Sequence, residues 1–379
     1  MLGRRTIFGE EHDDFRRAVR TFLEREAQPR APQWESDGII DREFWRTAAA
    51  NGLVGFAAPV EYGGLGSTDF RFNVVLDEEV VRAGIGTDAF SLTNNVMIPY
   101  LLDLTTDEQR QRWLPGLTSG ELVAAVAMSE PGAGSDLRGI RTTARRDGDH
   151  YRISGQKTFI TSGIQADLVV VVARVEGGDG LGLFVVPADA AGFARGRKLD
   201  KIGRRAQDTA ELFFDEVRVG PEDVLGEPGN GLALLKRNLP QERLGIAVIA
   251  QADAEWMVEF TLTYARERTA FGRPIGSFQA NRFALADLVT DIRVGRTYID
   301  RCIELHADGQ LSGAEAAGAK YWATDLEWRV ADRCLQLHGG YGYMEEYEIA
   351  RRWRDARVQR IYGGSNEIMR DIVGRSLGL

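Results

Sequence analysis

The chain has little cysteine, no excess of positive charge and no long apolar run. Its 379 residues include two cysteines, Cys302 and Cys334, and neither belongs to a Cys-x-x-Cys pair or lies at metal-ligand spacing from a histidine. A reducing compartment is the simplest interpretation of such sparse cysteine. The net charge of −9 argues against a nucleic-acid coat, because phosphate binding requires a dominant basic surface.

The apolar segments are too short to cross a membrane. No run of about 18 apolar residues occurs, so no transmembrane helix is predicted. The N-terminal sequence MLGRRTIFGEEHDDF lacks the apolar stretch that a secretory signal requires. We therefore expect a cytoplasmic protein that does not insert into membranes.

Several catalytic signatures are also absent. No GxGxxG follows a strand and opens a helix, and no GxxxxGK[ST] loop occurs, so neither a Rossmann dinucleotide site nor a phosphate loop is supported. The nucleophile elbow GxSxG and the zinc motif HExxH are missing as well. Because the histidines are scattered along the chain, we predict no metal site and no serine hydrolase.

Three blocks of different periodicity are present. The first block has amphipathic helical spacing, as in Phe15, Val19 and Phe22. The second contains short runs such as DLVVVVARV and GLFVVPA, which predict strands of an antiparallel sheet or barrel. The third returns to long helical segments with short connections, which predict a bundle. We thus predict an α+β, mostly α fold with an N-terminal helical domain at 1–122, a small antiparallel β domain at 123–228 and a C-terminal helical bundle at 229–379.

Four segments resemble the signatures of the acyl-CoA dehydrogenase family. They read MSEPGAGSD at 128–136, KTFITSG at 157–163, ARERTAFGRPIGSFQ at 265–279 and CLQLHGGYGYMEEYEIARRWRDARVQRIYGGSNEIM at 334–369. The resemblance implies a helical domain, a small β domain and a four-helix bundle, assembled as a homotetramer. It further implies an FAD flavoprotein of fatty acid β-oxidation. Such an oxidoreductase converts an acyl-CoA to a trans-2-enoyl-CoA and passes the electrons to an electron-transferring flavoprotein.

The resemblance also implies which residues bind FAD. Phe159 matches an aromatic residue packed on the flavin ring, and Thr161 matches a hydroxyl that hydrogen-bonds the flavin N5. The other expected contacts within the chain are Val126, Met128, Ser129, Gly134, Ser135 and Ile160. Residues expected to hold the FAD of the neighbouring subunit are Arg268, Gln279, Gln336, Leu337, Gly339 and Gly340, and further cofactor contacts are expected from Phe271, Ser365, Asn366 and Glu367. Without the resemblance, Phe159 would be interpreted as a core strand residue and Arg268 as an exposed helix arginine.

One glutamate must remove the α proton of the thioester, which requires a carboxylate in an apolar site and a donor at the carbonyl oxygen. Many family members place it directly after the tyrosine of the C-terminal motif, but here Tyr362 is followed by Gly363. A branch that includes the long-chain and isovaleryl enzymes carries it on a bundle helix, in a segment like LPQERL at 239–244. The resemblance therefore favours Glu242, although a glutamate after a proline at a helix start needs no catalytic role. Glu130 and Glu367 are rivals.

The expected mechanism holds the thioester carbonyl between the Gly363 N–H and a flavin ribityl hydroxyl. Expected substrate contacts are Ser135, Leu239, Arg243, Tyr362, Gly363 and Gly364. The acyl chain is expected around residues 91–101 and 231–243, and its length and branching are left open. An acyl-CoA oxidase, a flavin monooxygenase and a non-catalytic scaffold of the same fold are the alternatives.

Overall fold

The structure is a computed structural model that describes residues 5–178 and 180–379. Its first part is helical and consists of α1 (Glu10–Phe22), α2 (Ala31–Asp37), α3 (Arg42–Ala50), α4 (Phe70–Ala83), α5 (Ala89–Ser91), α6 (Ile98–Leu104) and α7 (Asp107–Thr118). Two π-helical segments, Leu23–Ala27 and Leu92–Met97, extend α1 and join α5 to α6. The Asp41 carboxylate caps α3 by accepting from the Phe44 N–H, and Thr106 with Gln109 forms a capping box on α7.

The middle part is a sheet. Its strands are β1 (Ala124–Ala127), β2 (Thr143–Asp147), β3 (His150–Thr161), β4 (Leu168–Val175), β5 (Leu181–Pro187), β6 (Phe193–Lys198), β7 (Thr209–Val219) and β8 (Val224–Gly229). In the described residues, their order is β6-β7-β3-β2-β4-β5-β8, with β1 beside β4. Most pairs are antiparallel, as predicted, but β1 and β2 each pair with β4 in parallel.

Strand β4 is buried on both faces, which explains its unbroken apolar sequence. Val169 and Val171 belong to the core between the strands. Val170 and Val172 pack instead with Leu101 and other residues of the N-terminal helices. The sheet and the helical part therefore share a continuous apolar contact, which fixes the sheet against the site described below.

The last part is a helical bundle. It consists of α8 (Gly231–Glu267), the hairpin strands β9 (Thr269–Ala270) and β10 (Arg273–Pro274), and then α9 (Gln279–Ala307), α10 (Gly313–His338), α11 (Glu348–Ala356) and α12 (Asn366–Ser376). The apolar stripe of α9 is buried at Leu285, Leu288, Ile292, Ile299 and Ile303. The predicted order of helices, sheet and helices is confirmed. None of the described helices combines the length and the apolar character that crossing a bilayer requires.

Candidate active site

Glu242 of α8 faces Gly363 of the turn that precedes α12. A β-carbon on Gly363 would lie 3.8 Å from Glu242 Oε1 and 2.3 Å from Ile246 Cδ1. Gly363 also has a φ of 61°, a left-handed conformation that disfavours residues with side chains. The left-handed backbone and the Ile246 side chain therefore favour glycine at position 363 in this chain, and the carboxylate beside it comes from Glu242.

The Glu242 carboxylate is buried and incompletely hydrogen-bonded. Its Oε2 has no hydrogen-bond partner in the described protein. Burial raises the pKa of Glu242, and the positive charges of Arg243 and Lys320 oppose that rise without cancelling it. A carboxylate with a raised pKa and a free oxygen is suited to accept a proton from a bound ligand.

The turn opposite Glu242 supplies a free donor. Among the hydrogen bonds of the described residues, none is donated by the Gly363 N–H. The preceding residue is fixed, because the Tyr362 hydroxyl donates to Asp88 Oδ2 at 3.0 Å. Asp88 in turn forms an ion pair with Arg204 at 2.8 Å. The Gly363 N–H thus lies next to an anchored tyrosine and remains available to an acceptor oxygen.

The π-helical segment Leu92–Met97 holds the start of α8. Its geometry leaves the Asn95 carbonyl available to side chains outside the segment. Asn238 Nδ2 and Gln241 Nε2 each donate to that oxygen at 3.0 Å. Pro240, which lies between them, cannot donate a backbone hydrogen bond. Side-chain contacts therefore fix the segment of α8 that carries Glu242.

Phe159 does not lie in the core. Its side chain is 70% exposed and its φ is 59°, an uncommon conformation for an aromatic residue. The pairing of β3 with β7 shifts register between Lys157 and Ile160, which is the bulge that turns Phe159 outward. Backbone strain and an exposed aromatic ring at one residue are features of ligand sites.

The turn after β1 is built around Glu130. Its carboxylate accepts from the backbone N–H groups of Arg141 at 2.7 Å and Thr142 at 2.9 Å, and from Lys157 Nζ at 2.8 Å. Burial acts to raise the pKa of Glu130, but these hydrogen bonds outweigh it and the pKa lies below its ordinary value. Lys157 also donates to the Met128 carbonyl at 3.0 Å. A carboxylate with these donors is poorly suited to act as a base.

The remaining residues of that segment leave room for a ligand. Gly134 and Ser135 are exposed, and a β-carbon on Gly134 would meet no atom within 4 Å. Val126, Met128, Ser129 and Thr161 are partly buried, whereas Ile160 is buried. Their backbone and hydroxyl groups lie on strands and turns next to Phe159.

A second group of expected FAD residues lines one cavity. Arg268, Gln336, Leu337, Gly339 and Gly340 border a space of about 580 Å³, together with Tyr264, Ile275, His338, Tyr341 and Met344. The Arg268 guanidinium lies 5.3 Å from the centre of the Tyr341 ring. Phe271 and Gln279 lie outside this lining, on the adjoining hairpin and at the start of α9. Phe271 is 95% exposed with a φ of 52°.

The three residues that follow Gly363 and Gly364 have different surroundings. Ser365 caps α12 by accepting from the Ile368 N–H. Asn366 is buried, and its amide is engaged by Lys320, Thr324 and Asp325. Glu367 is exposed in the first turn of α12. An exposed carboxylate does not provide the apolar site that a base requires, so Glu367 is the weaker candidate.

Comparisons with known proteins agree with this architecture. The acyl-CoA dehydrogenase N-terminal, middle and C-terminal domain families match residues 9–121, 125–217 and 229–378. The chain is 44% identical to the long-chain specific mitochondrial acyl-CoA dehydrogenase of Sus scrofa, over 99% of this chain and 88% of that protein. It is 48% identical to an acyl-CoA dehydrogenase from Geobacillus kaustophilus, whose crystal structure superposes with a TM-score of 0.97 over 99% of this chain and 100% of that one.

A glutaryl-CoA dehydrogenase from Mycobacterium smegmatis, solved in complex with FADH2, is 25% identical with a TM-score of 0.90, over 98% of this chain and 95% of that one. The fold and the family matches define a flavin-dependent dehydrogenase class. The chain belongs to the acyl-CoA dehydrogenase family.

Sequence reasoning did not single out Asn95, Gln241, Lys157 or Lys320. Each acts through a contact between segments distant in the sequence, and Lys157 and Lys320 are buried lysines. A lysine at an apolar face of a strand or helix was the available signal, because lysine is almost never fully buried unless it is paired.

Proposed function

We propose that this enzyme catalyses FAD-dependent α,β-dehydrogenation of a fatty acyl-CoA, with Glu242 as the base. The observation that carries the proposal is the Glu242 carboxylate, whose buried Oε2 has no partner in the described protein and whose Oε1 lies 3.8 Å from the position of a β-carbon on Gly363. Among the described residues, the Gly363 N–H donates no hydrogen bond. A base and a donor on opposite sides of one space are what proton removal next to a thioester requires.

The reaction divides between the protein and the cofactor. Glu242 removes the α proton, and the Gly363 N–H donates to the thioester oxygen as negative charge develops there. A single donor of this kind contributes about 3 to 4 kcal/mol, and a positioned base about two to four powers of ten in rate. FAD, when bound, accepts the β hydrogen as hydride. The product is a trans-2-enoyl-CoA.

The residues of the chain fit a flavin. The exposed ring of Phe159, the open backbone at Gly134 and Ser135 and the hydroxyl of Thr161 would hold it, with Val126, Met128, Ser129 and Ile160 lining the same site. Ser135, Leu239, Arg243 and the Tyr362–Gly364 turn would contact the substrate. Arg243 supports this role, because its Nε is buried without a partner in the described protein.

The cavity around Arg268 and Gln336 would hold the FAD of a neighbouring subunit, together with Phe271, Gln279, Leu337, Gly339 and Gly340. Ser365, Asn366 and Glu367 would add contacts near the turn, although Asn366 would have to do so through its backbone. A shared cofactor requires an oligomer, and we propose a homotetramer. Gel filtration with detection of flavin absorbance tests this, since a monomer that retains its full FAD content would contradict it.

Three further assignments belong to the proposal. The electrons pass to an electron-transferring flavoprotein, and the enzyme lies in the cytoplasm, which its two free buried cysteines support. The first domain boundary lies between residues 122 and 123, shortly after α7 ends at Thr118. The second lies between residues 228 and 229, shortly before α8 begins at Gly231. Stoichiometric peroxide formation in air would instead identify an acyl-CoA oxidase, the alternative acceptor.

The test of the base is Glu242→Gln. We expect this variant to retain bound FAD and to lose the bleaching of flavin absorbance by acyl-CoA under anaerobic conditions. Glu304→Gln on α9 is the matched control, because Glu304 pairs only with Arg301 at the surface. Rapid bleaching in Glu242→Gln would contradict the assignment, and a purified wild-type protein that binds no flavin would favour the non-catalytic scaffold.

A further inference from the structure

A lysine of α10 is buried directly behind the glycine turn. The Lys320 side chain is completely buried. Its Nζ donates to the Gly364 carbonyl at 2.8 Å and to Asn366 Oδ1 at 3.0 Å. Both acceptors are neutral, and the described residues form no salt bridge with Lys320. A buried ammonium without a paired carboxylate is costly, so its retention calls for a functional reason.

The electrostatic surroundings of Lys320 connect it to the base. Burial and the positive charge of Arg243 on α8 together lower the pKa of Lys320 to about 7. Asp325 and Glu327 of its own helix and Glu367 of α12 act in the opposite direction. Lys320 in turn lowers the pKa of Glu242 on α8. The charge of Lys320 therefore reaches the carboxylate that faces the turn.

The turn needs such an anchor. Gly363 and Gly364 have φ values of 61° and 91° and lack side chains that could fix them by packing. Two successive glycines lose more backbone entropy on ordering than other residues. The Gly364 carbonyl is attached to α10 through Lys320. On the other side of Gly363, Tyr362 is attached to Asp88. The peptides between these two anchors, including the one that carries the Gly363 N–H, can therefore adopt fewer orientations.

We propose that Lys320 is a positioning residue, which ties the Gly363–Gly364 turn to α10 and thereby directs the Gly363 N–H at the oxygen of the bound thioester opposite Glu242. This inference rests on the proposed function of Glu242 and Gly363. Lys320 contacts neither substrate nor cofactor in this role. It acts through the backbone that it holds and through its charge.

The test uses Lys320→Met, which keeps an unbranched apolar side chain, one bond shorter than that of lysine, and removes the donor and the charge. The holoenzyme is titrated with a 3-oxoacyl-CoA, whose acidic α C–H ionises in the site and whose enolate is detected by its ultraviolet absorbance. We expect the bound analogue to become less acidic by about one to two powers of ten, a smaller effect than loss of an oxyanion donor itself. The pH profile of kcat/KM should move to higher pH, because Glu242 loses a nearby positive charge.

Thr324→Val is the matched control for stability. Thr324 hydrogen-bonds Asn366 within the same buried cluster at 3.0 Å but makes no contact with the Gly364 carbonyl. Both variants should lower the melting temperature, and only Lys320→Met should change the ionisation of the analogue. Wild-type ionisation in a folded Lys320→Met enzyme would overturn the proposal and leave Lys320 a purely structural residue.

Two additional measurements keep the test decisive. If Lys320→Met does not fold, Lys320→Leu is used. Its side chain also lacks the donor and the charge, so wild-type ionisation in this variant also overturns the proposal. Glu242→Gln is titrated in parallel. If that variant ionises the analogue like the wild type, the proposed function of Glu242 has failed, which is a different result from failure at Lys320.

Discussion

Glu242 Oε1 lies 3.8 Å from the point that a β-carbon on Gly363 would occupy. Side chains from two segments far apart in the sequence would therefore reach the same place, one from α8 and one from the turn before α12. This geometry gives a physical reason why a carboxylate from either segment could occupy the same space. It also explains why this chain, with a glutamate at 242, has glycine at 363.

Substitution of Gly363 should damage both stability and activity. Gly363→Ala would place its β-carbon 2.3 Å from Ile246 Cδ1 in a left-handed backbone. We expect a loss of about 1 to 3 kcal/mol in the free energy of unfolding from overpacking and left-handed strain, measured by urea denaturation, and a reduced kcat/KM. The double variant Gly363→Ala with Ile246→Ala should recover the part due to the clash. No recovery would show that backbone strain alone is responsible.

The pH dependence of catalysis should report the buried base. Burial raises the pKa of Glu242. A base must be deprotonated to accept a proton, so kcat/KM should rise with pH through a pKa above the ordinary range of glutamate. The profile is measured with a saturating electron acceptor. If kcat/KM rises only over the pH range in which an exposed carboxylate titrates, Glu242 is not the base and Glu367 becomes the candidate.

The same carboxylate should cost stability. A raised pKa in the folded state means that the stabilising contribution of protonated Glu242 is present at low pH and is lost as the pH rises through that pKa. Glu242→Gln cannot ionise and has no such loss. Above the pKa of Glu242, its free energy of unfolding should exceed that of the wild type by about 1 to 3 kcal/mol, and at acidic pH the difference should be smaller. Chemical denaturation at several pH values checks the trend, with Glu304→Gln as control. A difference that shrinks as pH rises would contradict the burial of the charge.

Gln241 should position the base without contacting substrate. Its Nε2 donates to the Asn95 carbonyl and its Oε1 pairs with His306 Nε2, both at 3.0 Å. Gln241→Leu should lower the free energy of unfolding by about 1 kcal/mol and should lower kcat more than it raises KM. Thr290→Val, which removes only a bond within α9, is the control. A change in KM alone would indicate that Gln241 binds the substrate instead.

Phe159 should contribute to flavin binding and not to the stability of the protein. Its ring is exposed, so Phe159→Gly should leave the melting temperature of the FAD-free protein unchanged or raise it, because glycine relieves the left-handed conformation. The dissociation constant of FAD should increase. Phe184→Ala, at a fully buried ring, is the contrasting variant and should lose about 3 to 5 kcal/mol. A comparable loss in Phe159→Gly would place its ring in the core.

The periodicity of the sequence predicted helices α1, α3, α4, α7, α8 and α9 and the longer strands correctly, since helical stripes and β-branched runs are local properties. Strands β1, β2, β6 and β8 were not recognised individually. Thr143–Asp147 is short and charged, and Phe193–Lys198 is largely exposed, so neither shows the alternation that marks a half-buried strand. Phe159 illustrates the opposite error of local interpretation, because a register shift against β7 turns a β-type residue outward.

The sequence alone determined the class of fold, the family and the absence of a carboxylate at 363, because these depend on residue types at fixed spacings along the chain. Only the tertiary structure decided that the Oε2 atom of Glu242 is buried without a partner in the described protein and that Glu242 lies beside Gly363. It also showed that Lys320 contacts the turn and that the Asn95 carbonyl contacts the start of α8. Burial and distance between remote segments arise from packing, and packing brings together residues that no local pattern connects.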